Sequence, residues 1–188
     1  MNDVINKIFC IGYPKTGSTS LCEYLNSCGY KILHDEHEIF KTMYIDGVIR
    51  DELDNCDGIS NMAVKFFRDY DIRYPNSKFI LTVRDAKSWW KSISAWRHKE
   101  PSSIKTTEIY NIHYRALFNC TFPNMNQAIY SMTLHTQIVS DYFKYREDDL
   151  LLLDVNDNNK AQKINKFLNI DSNTKYPYHN VQFNTYKG

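Results

Sequence analysis

The hydrophobic and polar positions of the chain follow two patterns, short continuous apolar runs and longer stretches with apolar residues three or four positions apart. The continuous runs are typical of strands covered on both faces, and they predict strands over 7–11, 30–33, 58–62, 79–83 and 150–155. The spaced positions predict helices over 18–28, 38–53, 66–74, 86–99, 106–118, 126–144 and 161–168. This alternation predicts an α/β fold, a three-layer sandwich around a central, mostly parallel sheet of about four to five strands.

Length and charge narrow the class of protein. The 188 residues predict one domain over 1–188, long enough to bury a sizeable core. A net charge of +1 gives no reason to expect a nucleic-acid partner or an acidic membrane surface.

The cysteines and the hydrophobic runs bear on the cellular compartment. The five cysteines are odd in number and form no Cys-x-x-Cys pair, which indicates reduced thiols. No signal peptide and no apolar run of membrane-spanning length are evident, so we expect a cytoplasmic protein without a membrane span.

The first predicted strand leads into a glycine-containing turn and then a helix. Gly12 and Pro14 interrupt the apolar run, Lys15 and Gly17 lie in the turn, and the hydroxyl cluster at 18–20 begins the helix. This order of elements binds phosphate groups, because the first N–H groups of a helix have no acceptor within the helix. In a Walker A loop the lysine directly follows the second glycine, whereas here it comes two positions earlier. The turn therefore indicates an anion site of another kind.

A second polar element follows the apolar run at 79–83. Arg84 and Asp85 come directly after this predicted strand, and Ser92 lies eight positions beyond Arg84 on the next predicted helix. Open α/β sheets bind their ligands beyond the carboxyl ends of the strands. A guanidinium makes charge-assisted and often bidentate hydrogen bonds to phosphate, and a neighbouring hydroxyl adds one more. We therefore expect a second phosphate contact here, although a surface ion pair of Arg84 with Asp85 is the simpler structural alternative.

Together these segments resemble the fingerprints of sulfotransferases that use 3'-phosphoadenosine 5'-phosphosulfate (PAPS). The run Pro-Lys-Thr-Gly-Ser-Thr at 14–19 is similar to their 5'-phosphosulfate-binding loop, and Arg84 with Ser92 is similar to their 3'-phosphate-binding element. The resemblance covers most of the chain and implies a P-loop NTPase-like sulfotransferase fold. The sequence departs from many members at Ser20, where they place an aromatic residue that stacks on adenine. The C-terminal Arg-Lys-Gly element of the cytosolic steroid and phenol enzymes is also absent.

The resemblance implies transfer of a sulfuryl group from PAPS to a hydroxyl or amine of a small-molecule or glycan acceptor, leaving adenosine 3',5'-bisphosphate (PAP). It makes Lys15 the catalytic residue that stabilises the leaving phosphate, and no metal is expected. It also implies a set of PAPS-binding residues, namely Lys15, Thr16, Gly17, Ser18, Thr19, Ser20, Arg84 and Ser92. The acceptor and the oligomeric state cannot be predicted.

An acceptor hydroxyl also needs a general base. Family members usually carry a histidine or a carboxylate near the end of the strand before the arginine-bearing one, but that predicted strand ends at Asn61, which does not titrate. We therefore expect His34 or Asp35, after the second predicted strand, to act as the catalytic base. Asp57 and His135 are more remote candidates.

Two other classes of function stay open. A catalytically inactive protein that binds PAPS, PAP or another nucleotide would fit the lack of a base at Asn61. An ATP- or GTP-dependent P-loop kinase is disfavoured by the position of Lys15 and by the lack of an evident Walker B carboxylate. A metal site at His34 and His37 would lack further ligands at a recognisable spacing.

Overall fold

A five-stranded parallel sheet forms the centre of the computed structural model, which describes residues 6–34, 45, 51–61, 64–99 and 108–178. The sheet order is β2-β3-β1-β4-β5, and each neighbouring pair is parallel. The strands are β1 (Ile8–Cys10), β2 (Ile32–His34), β3 (Gly58–Ser60), β4 (Lys78–Val83) and β5 (Leu150–Asp154). The predicted α/β fold with a central parallel sheet is confirmed.

Helices cover both faces of the sheet. In chain order they are α1 (Ser18–Ser27), α2 (Phe67–Arg73), α3 (Ala86–Lys99), α4 (Glu108–Phe118), α5 (Met125–Phe143) and α6 (Lys160–Leu168). Helices α1 and α6 pack with the even-numbered residues of β1, including Ile8 and Cys10. Helices α2 and α5 pack with the odd-numbered Phe9 and Ile11 on the other face. Alternate residues of one strand therefore supply two separate cores, as a sheet covered on both sides requires.

A third hydrophobic cluster lies beyond the carboxyl edge of the sheet. It joins α3, α4 and the first half of α5 around the fully buried Trp89 and Tyr13. Because Tyr13 belongs to the loop after β1, this cluster anchors the predicted anion-binding loop to the helices above it. None of the helices in the described ranges is long and apolar enough to cross a bilayer.

The described strands and helices agree with the predicted bounds to within about two residues, and two elements call for a physical explanation. The strand predicted over 58–62 stops at Ser60, because Asn61 adopts a left-handed backbone with φ of 69° that leaves the strand geometry. The helix predicted over 38–53 lies mostly outside the described residues, and its last part belongs to a 3-10 helix at Asp51–Asn55.

Candidate functional site

The loop between β1 and α1 has a shape that two residues with positive φ make possible. Lys15 has φ of 68°, and Gly17, the N-cap of α1, has φ of 96°. Gly12 is needed for a different reason: a Cβ there would lie 1.8 Å from Thr82 Oγ1 and 2.7 Å from the Thr82 carbonyl oxygen. The loop therefore passes so close to β4 that only glycine fits at position 12.

Side chains that lie far away in sequence hold the carbonyl groups of this loop. His135 Nε2 lies 2.9 Å from the Ile11 carbonyl oxygen, and Trp89 Nε1 donates to the Pro14 carbonyl at 2.8 Å. Arg84 Nη1 donates to the Lys15 carbonyl at 3.1 Å. These bonds direct three loop carbonyls toward the surrounding elements β4, α3 and α5. The loop is therefore held in shape before any ligand arrives.

The hydroxyl residues of the loop divide into two groups. The amide and hydroxyl of Thr16 both donate to the Tyr13 carbonyl, at 3.2 and 2.5 Å, and this hydroxyl also lies 2.6 Å from Thr82 Oγ1. Thr16 therefore supports the loop from within, and a ligand contact by Thr16 would require these groups to leave that carbonyl. The amides of residues 18–20 precede the first bond of the α1 ladder, from the Leu21 amide to the Gly17 carbonyl. They lie where a helix N-terminus binds anions.

Arg84 brings the two predicted phosphate-binding elements together. It follows β4, is half-buried, and donates through Nε to Ser88 Oγ at 3.1 Å besides its bond to the Lys15 carbonyl. Burial lowers the pKa of Arg84, but guanidinium stays charged at neutral pH. Asp85 accepts from the Ser88 amide at 2.9 Å, so its carboxylate caps the start of α3. Ser92 lies buried one turn beyond Ser88 on the same helix.

The candidates for a general base are spread over the structure. His34, at the end of β2, places Nε2 3.4 Å from Thr19 Oγ1 and so lies beside the first turn of α1. Asp35 and His37 lie outside the described residues. Asp57 directly precedes β3 and so lies at the amino-terminal ends of the strands, away from the loop. Its carboxylate accepts from the Lys31 amide at 2.7 Å. Of His34 and Asp57, the fold brings His34 to the loop.

His135 has a structural environment. Its side chain is buried beneath the loop, and this burial lowers its pKa to about 4. The imidazole is therefore neutral at pH 7, and because a carbonyl oxygen can only accept, Nε2 carries the proton that bonds to Ile11.

Sequence reasoning did not identify the residues that support the loop. Hydrophobic spacing places Trp89 only on the core face of a helix, yet its indole donates to the loop, and the Tyr13 hydroxyl donates to the Leu117 carbonyl at 2.8 Å. Their residue type is itself a signal, since a buried tryptophan or tyrosine usually finds a hydrogen-bond partner for its polar atom. Which partner it finds depends on the tertiary fold.

A cavity of about 260 Å³ opens beside Arg84, between the end of β4 and α5. Its polar lining includes Thr82, Thr133, Gln137 and Ser140. Within the described ranges, no three histidine, cysteine or acidic side chains converge in a way that could hold a metal ion.

Comparison with known proteins finds a matching family model and similar solved structures. A family model described as "Sulfotransferase domain" matches residues 7–184 of this chain. Among solved structures, the chain is similar to a crystal structure of a sulfotransferase from Alicyclobacillus acidocaldarius, with a TM-score of 0.59. That alignment has 16% sequence identity and covers 97% of this chain and 87% of the other, so it supports the fold alone. No curated protein gives a significant match.

Proposed function

Because the chain belongs to the sulfotransferase family, we propose that it uses PAPS as the donor and sulfates a hydroxyl or amine of a small-molecule or glycan acceptor. The observation that carries this proposal is the bond of 3.1 Å from Arg84 to the Lys15 carbonyl. It joins the element that resembles a 5'-phosphosulfate-binding loop to the element that resembles a 3'-phosphate-binding site. A single ligand that carries a 5'-phosphosulfate and a 3'-phosphate, as PAPS does, fits these two neighbouring elements.

The residues present suit a ligand with two anionic groups. The N-terminus of α1 offers N–H groups of residues 18–20, and the absence of a side chain at Gly17 keeps that turn open between Val155 and the loop. A Cβ at Gly17 would lie 3.1 Å from Val155 Cγ2. Arg84, directly after β4, supplies a cation, and Ser92 on α3 supplies a hydroxyl.

PAPS supplies the sulfuryl group, and its PAP part is the leaving group. Lys15 stabilises the negative charge that develops on the phosphate as the sulfuryl group departs, together with the amides at the start of α1. Ser18, Thr19 and Ser20 add hydroxyl donors, and Thr16 keeps the loop in shape. His34 accepts the acceptor proton, with Asp35 as the second candidate for this base.

Titration of PAP tests the donor site without knowledge of the acceptor. We expect wild type to bind PAP in isothermal titration with the same Kd in magnesium and in EDTA. Arg84→Ala should weaken binding about a hundredfold, since it removes a charge-assisted contact to phosphate and the support of the Lys15 carbonyl. Arg115→Ala, on the exposed face of α4, is the matched control and should bind like wild type. Binding of ATP with magnesium in place of PAP would refute the proposal and favour a kinase.

The inactive alternative rests on Asn61, which directly follows β3, where the resemblance places a base. It predicts that PAP and PAPS bind equally well but that no acceptor mixture releases PAP from PAPS. Release of PAP by wild type and its loss in His34→Gln would exclude this alternative.

A further inference from the structure

His34 lies beside the start of α1, where the proposed function has the 5'-phosphate of the donor bind. Its side chain is half-buried at the end of β2, and Nε2 lies 3.4 Å from Thr19 Oγ1. Thr19 belongs to the first turn of α1, and the amides of residues 18–20 precede the first bond of the helix ladder. One edge of the imidazole therefore borders the positions from which a helix N-terminus binds an anion.

The donor and the product of the proposed reaction present different charges to this edge. In PAPS the 5'-phosphate carries one negative charge, and the sulfonate beyond it carries another. In the transfer, the acceptor oxygen forms a bond to sulfur, the bond from sulfur to the phosphate oxygen breaks, and its electron pair stays on the phosphate. The acceptor proton moves to the base, His34. Because the second pKa of a phosphate monoester is about 6, the 5'-phosphate of PAP is mostly a dianion at pH 7.

The elements packed around His34 carry charges of both signs. Strand β2 pairs with β3 and packs against α1. The titratable groups that these elements and the loop present in the described ranges are Glu23, one turn beyond Thr19 on α1, Lys65 after β3 and Lys15 in the loop. All three are present with and without a ligand, whereas the phosphate dianion arrives only with PAP. Binding of PAP therefore changes the charge beside the imidazole.

We propose that protonated His34 binds the 5'-phosphate of PAP, so that PAP binds with uptake of a proton. This inference rests on the proposed function and goes beyond the role of His34 as a base, because it concerns the product that remains after transfer. Both nitrogens of an imidazolium donate, and Nε2 donates to the phosphate on the Thr19 side. The proton taken from the acceptor returns to water as PAP leaves. PAPS gains less from this contact, since its 5'-phosphate carries a single charge.

Isothermal titration of PAP in two buffers with different ionisation enthalpies counts the protons that binding takes up. We expect wild type to take up more protons at pH 7 than His34→Gln, whose amide can donate to phosphate but does not titrate. Between pH 6 and pH 8, the Kd for PAP should rise about tenfold more in wild type than in the variant. Titration of the PAP phosphates is common to both proteins and cancels in the comparison.

Two control ligands and one control variant isolate the contact. Adenosine 3'-monophosphate lacks the 5'-phosphate, so wild type and His34→Gln should take up equal numbers of protons when they bind it. PAPS should give a smaller difference between the two proteins than PAP does. His113→Gln is the matched control variant, because His113 lies on α4, and it should keep the proton uptake of wild type with PAP.

Each other outcome overturns the inference in a recognisable way. Equal proton uptake by wild type and His34→Gln with PAP would mean that His34 does not bind the phosphate as a cation. A loss of affinity for PAP in His34→Gln that is the same at pH 6 and pH 8 would mean that His34 only supports α1 through Thr19. An equal difference with PAPS would assign the contact to a group that both ligands share. Failure of wild type to bind PAP at all would instead refute the proposed donor, so the two failures are distinguishable.

Discussion

Lowering the pH should reduce the free energy of unfolding of the protein, because His135 is buried without a charge. The imidazole is buried beneath the loop between β1 and α1, and burial lowers its pKa to about 4 from the ordinary value of 6.5. Between about pH 4 and pH 6.5, the imidazole of His135 is protonated in the unfolded chain and neutral in the folded chain. The unfolded state therefore holds more protons, and the free energy of unfolding falls as the pH falls. This contribution is fully present above pH 6.5 and is lost progressively down to pH 4.

The size of this stability change follows from the pKa shift of His135. Each unit of pKa difference corresponds to about 1.4 kcal/mol, so the free energy of unfolding loses about 3 kcal/mol in total as the pH falls from above 6.5 to below 4. Between pH 7 and pH 5 the loss is about 2 kcal/mol. A change of this size is large for a domain with a typical stability of about 5–15 kcal/mol.

The His135→Gln variant separates this loss from that of other titrating groups. Its side-chain amide can still donate to the Ile11 carbonyl but does not titrate in this range. Urea unfolding of both proteins at several pH values between 7 and 5 gives the difference in free energy of unfolding. We expect wild type to lose about 2 kcal/mol more than the variant over this range. All other histidines and carboxylates are common to both proteins and cancel in the comparison.

Parallel loss of stability in the two proteins would contradict the argument. It would mean that His135 gains its proton in the folded state without penalty, as an exposed histidine does. The bond to the loop would then not require the neutral imidazole.

Three further variants test the packing of the loop and of α5, each by urea unfolding and PAP titration. Gly12→Ala should lose about 3 kcal/mol and its PAP binding because the new Cβ overlaps Thr82, whereas Gly29→Ala, with open space but φ of 95°, should lose only about 1 kcal/mol; equal losses would refute the overlap. Trp89→Phe should cost about 2 kcal/mol and weaken PAP binding because a buried loop carbonyl loses its donor, and unchanged binding would show that the loop keeps its shape without it. Asn124→Ala removes the capping box of α5 and should cost about 1 kcal/mol with PAP binding unchanged; no loss of stability would contradict the cap.

The parts of the fold that local pattern determines could be predicted from the sequence. The start of α1 at Ser18 follows from the glycine and the hydroxyl residues before the apolar positions, and β4 follows from its continuous apolar run. The predicted end of β3 was wrong because the left-handed backbone at Asn61 depends on the chain path around it. Asparagine tolerates this conformation, but nothing in the local pattern requires it.

The candidate site could be predicted only where its residues are neighbours in sequence. The loop and Arg84 carry recognisable spacing, whereas the roles of Trp89 and His135 arise from contacts across 75 and 124 positions. Hydrophobic periodicity is consistent with burial of both residues but does not indicate which loop carbonyl their N–H groups bond to.

The bonds to the loop carbonyls have a consequence for the order in which the chain folds. The loop is complete by residue 17, but its supporting donors come from Arg84, Trp89 and His135. Closing such distant contacts costs chain entropy that only tertiary packing recovers, so they form late relative to local helices. During synthesis the loop therefore acquires its shape only after α5 has left the ribosome. Ligand that binds this shape stabilises the fully folded chain and none of the shorter nascent chains before it.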